Sequence, residues 1–278
     1  MQFTAIDRVL LPVAELSTAS APFARLGLDM GACVPHPTYD AHAVVWSVGA
    51  GANRFTVELI SPDEGPREGT TLADELRRAV DAKRGLFAVV LRVPDLGPVQ
   101  RDLAAAGLLR SSEEVGGGEL YWLPVEAQAG VNLALVQSPI PCASEVGKNT
   151  FPLKRLDHLA AVTPDLDEKT RFWTDVLGVP LAGEVTTPTM VIRQFRIGDA
   201  IMELLAPASA DSPLRQRPPG PVSLASVEVP DLDEAVGQAR AAGFTVTGPA
   251  PGPLPGTHIA TIPPAELSGL ALQLLQYV

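Results

Sequence analysis

Residues 156–168 read LDHLAAVTPDLDE, and residues 222–234 read VSLASVEVPDLDE. Both stretches pass from a β-like segment through the same Pro-Asp-Leu-Asp-Glu turn into an amphipathic segment. Residues two apart share one face of a strand, so His158 should lie on the opposite face from Leu159. The proline ends the hydrogen bonding of the strand, and the following aspartate is placed to cap a helix. The stretch therefore predicts a strand, a turn and a helix, in a unit that occurs more than once.

The same order of segments occurs four times along the chain. Each unit has a β-like run, a turn with Pro, Asp or Leu, an amphipathic stretch and then a glycine where a helix should end. The glycines are Gly27, Gly107, Gly178 and Gly243. Further strand-like runs follow each helix, ending in FTVELISP, VNLALVQSP, IMELLAP and LALQLLQYV. Each unit is therefore predicted to be a βαβββ module.

Two such modules side by side would curl into a cup, because a sheet with helices on one face leaves its other face for a pocket. The prediction is an α+β fold with four βαβββ modules in two tandem cupped-sheet domains. The N-terminal domain spans 1–140 (modules 1–62 and 85–140). The C-terminal domain spans 150–278 (modules 155–207 and 220–278). An additional helix within 71–85 is expected to be a solvated connector.

The composition narrows the class of protein. The formal net charge is −11, which argues against nucleic acid or an anionic membrane as a partner, because both need a basic face. The two cysteines, Cys33 and Cys142, have no ligand-like spacing and are interpreted as reduced thiols. The N-terminal stretch lacks the charge and apolar run of a signal peptide, and a cytoplasmic location is expected.

The repeats resemble the vicinal-oxygen-chelate superfamily, which includes glyoxalases, bleomycin-resistance proteins, extradiol dioxygenases and methylmalonyl-CoA epimerase. DHLAAVTPDLDEKTRFWTDVLGV and IMELLAP carry the resemblance most strongly, and the C-terminal half looks closest to the glyoxalase and epimerase branch. The resemblance implies two glyoxalase-like domains. It also implies metal ligands in the first and last strand of each module, with the metal acting as a Lewis acid on substrate oxygens.

Transferred to this chain, the family positions give an incomplete set of ligands. In the C-terminal half, His158, Glu203 and Gln273 could hold a metal, with His158 and Glu203 as the candidate catalytic residues, but Leu224 cannot ligate. The extradiol pattern needs ligands at positions 224 and 273, and these hold Leu and Gln, so an extradiol site is not expected. In the N-terminal half the positions hold Arg8, Ala88, Glu58 and Ala134, and an ion pair between Arg8 and Glu58 is the expected arrangement.

Further residues are candidates for lining the pockets. His258 could replace the ligand missing at position 224, and the inner strands offer Tyr39, Trp46, Met190 and Phe195, with packing in the core as an equal alternative. His36, Asp40 and His42 are close in sequence but are expected in a surface loop. A hydrogen-bonded polar pair lining a pocket is the alternative to a metal role for His158 and Glu203.

Three functions remain open. The first is a pocket with a degenerate metal site that binds a small organic ligand without metal. The second is a divalent-metal-dependent isomerase or lyase of the glyoxalase or epimerase type, centred on His158, Glu203 and Gln273. The third is a non-catalytic interaction protein. The cofactor is either one divalent ion among Zn, Ni, Mn, Co and Fe, or none. The expected partner is a small organic molecule, and the expected state is a monomer or a homodimer.

Overall fold

The computed structural model describes residues 2–31, 34–36, 41–49, 54–63, 71–82, 85–108, 111–115, 118–123, 131–137, 149–217 and 219–278. The strands in these residues are β1 (Ala5–Pro12), β2 (Val34–His36), β3 (Ala41–Val48), β4 (Phe55–Pro62), β5 (Ala88–Arg92), β6 (Ser111–Val115), β7 (Gly118–Trp122), β8 (Asn132–Val136), β9 (Arg155–Val162), β10 (Leu181–Thr186), β11 (Met190–Ile197), β12 (Ala200–Pro207), β13 (Gly220–Glu228), β14 (Thr247–Pro251), β15 (Thr257–Ile262) and β16 (Ala271–Tyr277). The α-helices are α1 (Leu16–Arg25), α2 (Thr71–Asp81), α3 (Leu96–Ala105), α4 (Leu166–Arg171) and α5 (Leu232–Ala241). A π-helical turn, Phe172–Val176, continues α4, and 3₁₀ turns cover Pro213–Gln216 and Pro264–Glu266. None of the described helices has the length and apolar content that a membrane span requires.

The strands form two eight-stranded sheets with the same order. The first runs β2-β3-β4-β1-β5-β8-β7-β6, and the second runs β10-β11-β12-β9-β13-β16-β15-β14. In each sheet the first strands of two modules pair antiparallel at the centre, as β1 with β5 and β9 with β13. Each of these strands also pairs in parallel with the last strand of its own module. The predicted fold of four βαβββ modules in two tandem sheets is confirmed.

The turn residues act as their types predict. Asp165 accepts a hydrogen bond from the backbone N–H of Glu168 at 2.8 Å, and Asp231 accepts one from that of Glu234 at 2.9 Å. Each aspartate thus satisfies a backbone donor at the start of its helix. The glycine after α5, Gly243, has φ of +83°, a left-handed conformation that suits a residue without a Cβ.

One face of each sheet packs on helices in a single apolar core that spans both halves of the chain. Val9 and Leu11 of β1 belong to this core, and so do Leu159 and Ala161 of β9. The N-terminal half also contacts the C-terminal half directly. The hydroxyl of Ser268 donates to the carbonyl of Ala19, and Arg25 lies 4.3 Å from the centre of the Phe244 ring.

The other face of the first sheet is covered by α2, which corrects the prediction of a solvated connector. Ala73, Leu76 and Ala79 of α2 are at most 2% exposed. Leu76 and Ala79 pack in one apolar cluster with Leu10 of β1 and Ala88 of β5. Small and aliphatic residues of this helix therefore fill the N-terminal cup. Val80, four residues after Leu76, is only partly buried, whereas Ala79 packs in the cluster with Leu76.

The corresponding face of the second sheet remains more open. Ala160, Val162, Ile192, Leu205 and Leu214 form a small cluster there, and the last of these comes from the 3₁₀ turn Pro213–Gln216. Other side chains on this concave face, which we call the C-terminal cup, are only partly buried. They include His158, Met190, Gln194, Ile201, Leu224, Ile259, Thr261 and Gln273. This half of the molecule therefore has a lined depression that solvent can reach.

Candidate ligand site in the C-terminal cup

The strand registers of the two sheets place the candidate residues at equivalent positions. Where β1 pairs with β4, Leu10 is opposite Glu58, and Arg8 lies two residues before Leu10 on the same strand face. Where β9 pairs with β12, Ala160 is opposite Glu203, and His158 lies two residues before Ala160 on the same strand face. Arg8 is therefore the structural counterpart of His158, and Glu58 that of Glu203. The two cups can be compared position by position.

In the N-terminal cup these positions form a buried charge cluster. The guanidinium of Arg8 donates to Glu58 at 3.0 Å and to Asp7 at 3.0 Å, and the side chains of Arg8 and Glu58 are 3% and 1% exposed. His36 Nε2 lies 2.6 Å from the other oxygen of Glu58, and Arg92 pairs with Asp7. Burial would raise the pKa of Glu58, but the charge of Arg8 and the contact with His36 outweigh it and lower that pKa to about 2.

In the C-terminal cup, the imidazole of His158 is positioned by a hydrogen bond with the preceding residue, Asp157. A bulge in the pairing of β9 with β13 brings Asp157 beside His158, and His158 Nδ1 lies 2.8 Å from Asp157. The hydroxyl of Tyr277 donates to the other oxygen of Asp157 at 2.6 Å. With Nδ1 engaged in this way, Nε2 is the ring nitrogen left for other partners.

The charge state of His158 follows from these neighbours. Burial disfavours the imidazolium, but the hydrogen bond to Asp157 and the negative charges of Glu203 and Asp157 outweigh burial, so the pKa of His158 is raised. Burial would raise the pKa of Asp157, but its hydrogen bonds with His158 and Tyr277 and the charges of His158 and Arg155 outweigh burial and lower that pKa. Tyr277 has its pKa raised to about 12 by partial burial and by its bond to Asp157.

Two side-chain pairs form the rest of the polar surface. Gln194 of β11 donates to Glu203 at 2.8 Å, and the hydroxyl of Ser226 donates to the carbonyl oxygen of Gln273 at 3.0 Å. Leu224 of β13, two residues before Ser226 and so on the same strand face, is partly exposed. The site thus combines a carboxylate, an imidazole and two amides with an apolar wall.

The donor set lacks one of the four positions that could hold a metal, because Leu224 has no donor atom. Catalytic metal sites commonly use at least three protein ligands. The cup offers His158 Nε2 and the carboxylate of Glu203, and the third group is the neutral amide oxygen of Gln273, which also accepts from Ser226. Within the described ranges, no cluster of three or more His, Cys, Asp or Glu residues is arranged to hold an ion.

The structure does not bring every sequence candidate to a cup. Phe195 is fully buried on the helix side of the second sheet, with its ring centre 5.6 Å from that of Trp173. Trp46 occupies the equivalent place in the first half, 6.0 Å from Phe23. Core packing, the alternative considered for both aromatics, is what the structure shows. Met190 does pack against the apolar cluster of the C-terminal cup.

His258 lies on the wrong face to replace the ligand missing at position 224. It pairs with Gln276, whereas Gln273 pairs with Thr261, so alternation along β15 directs His258 away from the cup. It is exposed.

The two histidines early in the chain, His36 and His42, have different surroundings. Four other residues considered from the sequence lie outside the described residues: Cys33, Tyr39, Asp40 and Cys142. The surface-loop prediction is wrong for His36, which ends β2 and is 1% exposed against Glu58. His42 is on β3 and contacts Asp63, with about half of each side chain exposed.

Sequence reasoning missed four residues of the C-terminal cup. The sequence could have identified Gln194, because it lies two residues after Ile192 and four after Met190, on the same face of one strand. Asp157 precedes His158 directly, but alternation predicts that neighbours face apart, and only the bulge brings them together. Ser226 and Tyr277 come from strands of another module, and no local pattern indicates their partners.

Comparisons with known proteins agree with this architecture. A family model described as the Glyoxalase/Bleomycin resistance protein/Dioxygenase superfamily matches residues 155–274. Mitochondrial methylmalonyl-CoA epimerase from Mus musculus is 32% identical over 113 residues, which cover 38% of this chain and 61% of that protein. The Homo sapiens epimerase is 28% identical over 116 residues, covering 36% and 66%. The matched segments thus span less than two thirds of these relatives.

A solved structure shows likeness along the whole chain. A mutant of 4-hydroxymandelate synthase from Streptomyces coelicolor has a TM-score of 0.71 at 15% identity, covering 100% of this chain and 93% of that one. At this identity the likeness concerns the fold, and it extends over both sheets.

Proposed function

We propose that the C-terminal cup binds a small organic molecule, because residues 155–274 match the model of the Glyoxalase/Bleomycin resistance protein/Dioxygenase superfamily. The observation that carries the proposal is the contrast between the two cups. Leu76 and Ala79 of α2 pack into the N-terminal cup, whereas the C-terminal cup keeps His158, Leu224 and Gln273 partly exposed on its concave face. A concave surface with an apolar wall and a few convergent polar groups is the usual form of a ligand site.

The chemistry of the cup supports recognition by shape and by a few hydrogen bonds. Leu224, Met190 and Ile192 supply apolar contacts, which stabilise a bound molecule by removing its apolar surface from water. His158 Nε2 and the carboxylate of Glu203 supply polar partners for one end of the ligand. The proposal concerns the C-terminal cup alone.

A thermal-shift screen of chelator-treated protein against a small-molecule library tests this function. Leu224→Trp places an indole in the cup and should abolish the ligand-induced rise in melting temperature. The control is Leu181→Trp, on the edge strand β10, where the leucine is 43% exposed. That control should leave the shift intact. Equal shifts in the two variants would locate binding elsewhere and contradict the proposal.

A metal-dependent isomerase or lyase centred on His158, Glu203 and Gln273 is the second candidate. The observation that favours it is Glu203 itself, a carboxylate on the concave face of the cup, because carboxylates serve as general bases in proton transfer. Its weakness is the donor set, in which Leu224 supplies no ligand and Gln273 supplies only a neutral amide oxygen. Metal analysis of protein prepared without chelators distinguishes the candidates. One equivalent of a divalent ion, lost in His158→Ala, would favour the isomerase or lyase over metal-free binding.

A further inference from the structure

We propose that the C-terminal cup selects ligands carrying a positively charged nitrogen, an amine, amidine or guanidine, which pairs with the carboxylate of Glu203. This inference rests on the proposed function and names the ligand class for the same site. It follows from the surroundings of Glu203, from the equivalent position in the first half of the chain and from the apolar wall around the carboxylate.

Glu203 is a buried carboxylate that forms no ion pair with the described residues, although its negative charge helps to raise the pKa of His158 from a greater distance. The residue is 7% exposed, and its hydrogen-bond partner is the neutral amide of Gln194 at 2.8 Å. Among the residues that the structure describes, no Lys, Arg or His nitrogen lies within the 4.0 Å of an ion pair with Glu203. Buried charges in folded proteins are normally paired, since removing a carboxylate from water is costly. A ligand cation would complete this arrangement.

The nearby cations form no ion pair with Glu203. His158 makes its hydrogen bond to Asp157 through Nδ1 and interacts with Glu203 only at longer range. Arg155 pairs with Glu228 at 2.6 Å. Arg196, which pairs with Ile201 in the strand register, is exposed. None of these three lies within ion-pair distance of Glu203.

The N-terminal cup shows what fills the equivalent space. Glu58, the counterpart of Glu203, receives the guanidinium of Arg8 at 3.0 Å. Arg8 is the counterpart of His158, and an arginine side chain is longer than a histidine. With His at this position, Glu203 has no guanidinium of the described residues within hydrogen-bonding distance. The Arg8 head group is thus an internal example of the chemistry that the C-terminal carboxylate accepts.

The wall of the cup indicates an organic cation. Val185, Met190 and Val222 pack beside the apolar cluster around Ala160 and Ile192, so the body of the ligand meets hydrocarbon next to the carboxylate. A nitrogen cation on an apolar body would satisfy both surfaces. A divalent metal ion would also supply positive charge, and the experiment therefore includes metal ions alone.

The test compares matched probes on chelator-treated protein by isothermal titration calorimetry. Benzylamine and benzamidine carry the cation, benzyl alcohol and benzamide are their neutral counterparts, and Zn²⁺ and Mn²⁺ form the metal arm. We expect each cation to bind at least tenfold more tightly than its neutral counterpart. Glu203→Gln should remove that preference. Glu184→Gln, an exposed carboxylate outside the cup, is the control and should keep it.

A second variant tests the comparison between the cups directly. His158→Arg should recreate the Arg8–Glu58 pair, block binding of the organic cations and leave the melting temperature unchanged or raised. Equal affinity for the neutral probes, or a cation preference that survives in Glu203→Gln, would overturn the inference while leaving ligand binding in place. Binding by the metal ions alone would also overturn it. No binding in any arm, together with a failed library screen, would overturn the proposed function as well.

Discussion

At the residue scale, the two equivalent glutamates have opposite surroundings and should respond differently to the same substitution. Glu58→Gln leaves the buried Arg8 without part of its countercharge, which costs about 3–5 kcal/mol for such pairs. Glu203→Gln removes a buried charge that forms no ion pair with the described residues and keeps an amide able to bond to Gln194. We expect the second variant to lie within about 1 kcal/mol of wild type, or to be more stable.

Urea unfolding at pH 7 measures both free energies of unfolding in one experiment. Similar losses in the two variants would contradict the assignment of a contact ion pair to Glu58 and not to Glu203.

Glu58 also predicts a pH dependence of stability. Its pKa is about 2 in the folded protein against 4.5 for the ordinary side chain, so its contribution is present above about pH 4.5 and is lost as the pH falls toward about 2. The difference in unfolding free energy between wild type and Glu58→Gln should therefore narrow across that window. Urea titrations at pH 5, 4 and 3 would show it, and a constant difference would contradict the shifted pKa.

The resemblance to the vicinal-oxygen-chelate superfamily predicted the Arg8–Glu58 contact, because both residues fall at positions where that family places metal ligands. It did not predict the contact of Glu58 with His36, since three residues of strand after a long loop give no periodic signal. It also did not predict that Asp157 reaches His158, because the bulge that brings them together depends on pairing with another module.

At the scale of elements, α2 is the part of the chain that distinguishes the two cups. Leu76→Ala removes a side chain that is 0% exposed in the filled N-terminal cup, and such truncations cost about 2–5 kcal/mol. Arg78→Ala, on the exposed side of the same helix, should change stability by less than about 0.5 kcal/mol. Chemical denaturation compares them. A small loss in Leu76→Ala would mean that α2 is a solvated connector after all.

Local pattern was sufficient to predict most elements. Strand alternation, the capping aspartates and the glycines after the helices each act over a few residues, and the structure shows all three. The same reasoning misplaced the burial of α2, because the side of the helix that packs depends on the shape of the cup. The π-helical turn Phe172–Val176 likewise leaves Val176 36% exposed, where a regular helical stripe would bury it.

At the scale of the molecule, one apolar core spans both halves, and they should unfold together. The chain has three tryptophans, and Trp46 and Trp122 lie in the first half while Trp173 lies in the second. Trp173→Phe leaves reporters for the first half, and the double variant Trp46→Phe with Trp122→Phe leaves one for the second. Fluorescence-monitored urea transitions should give each variant one midpoint that agrees with its own circular dichroism transition. A fluorescence midpoint separated from the circular dichroism transition in either variant would show that the halves unfold independently.

The central claim is that the C-terminal cup, and not the N-terminal cup, holds the ligand. A crystallographic soak of the whole chain with benzylamine, collected on chelator-treated crystals, tests it most directly. The account predicts density in the C-terminal cup, with the amine within hydrogen-bonding distance of Glu203 and the ring against Leu224, and α2 still seated on Leu10. Density beside Arg8 and Glu58 with α2 displaced, or a C-terminal cup that holds only water at saturating amine, would contradict it.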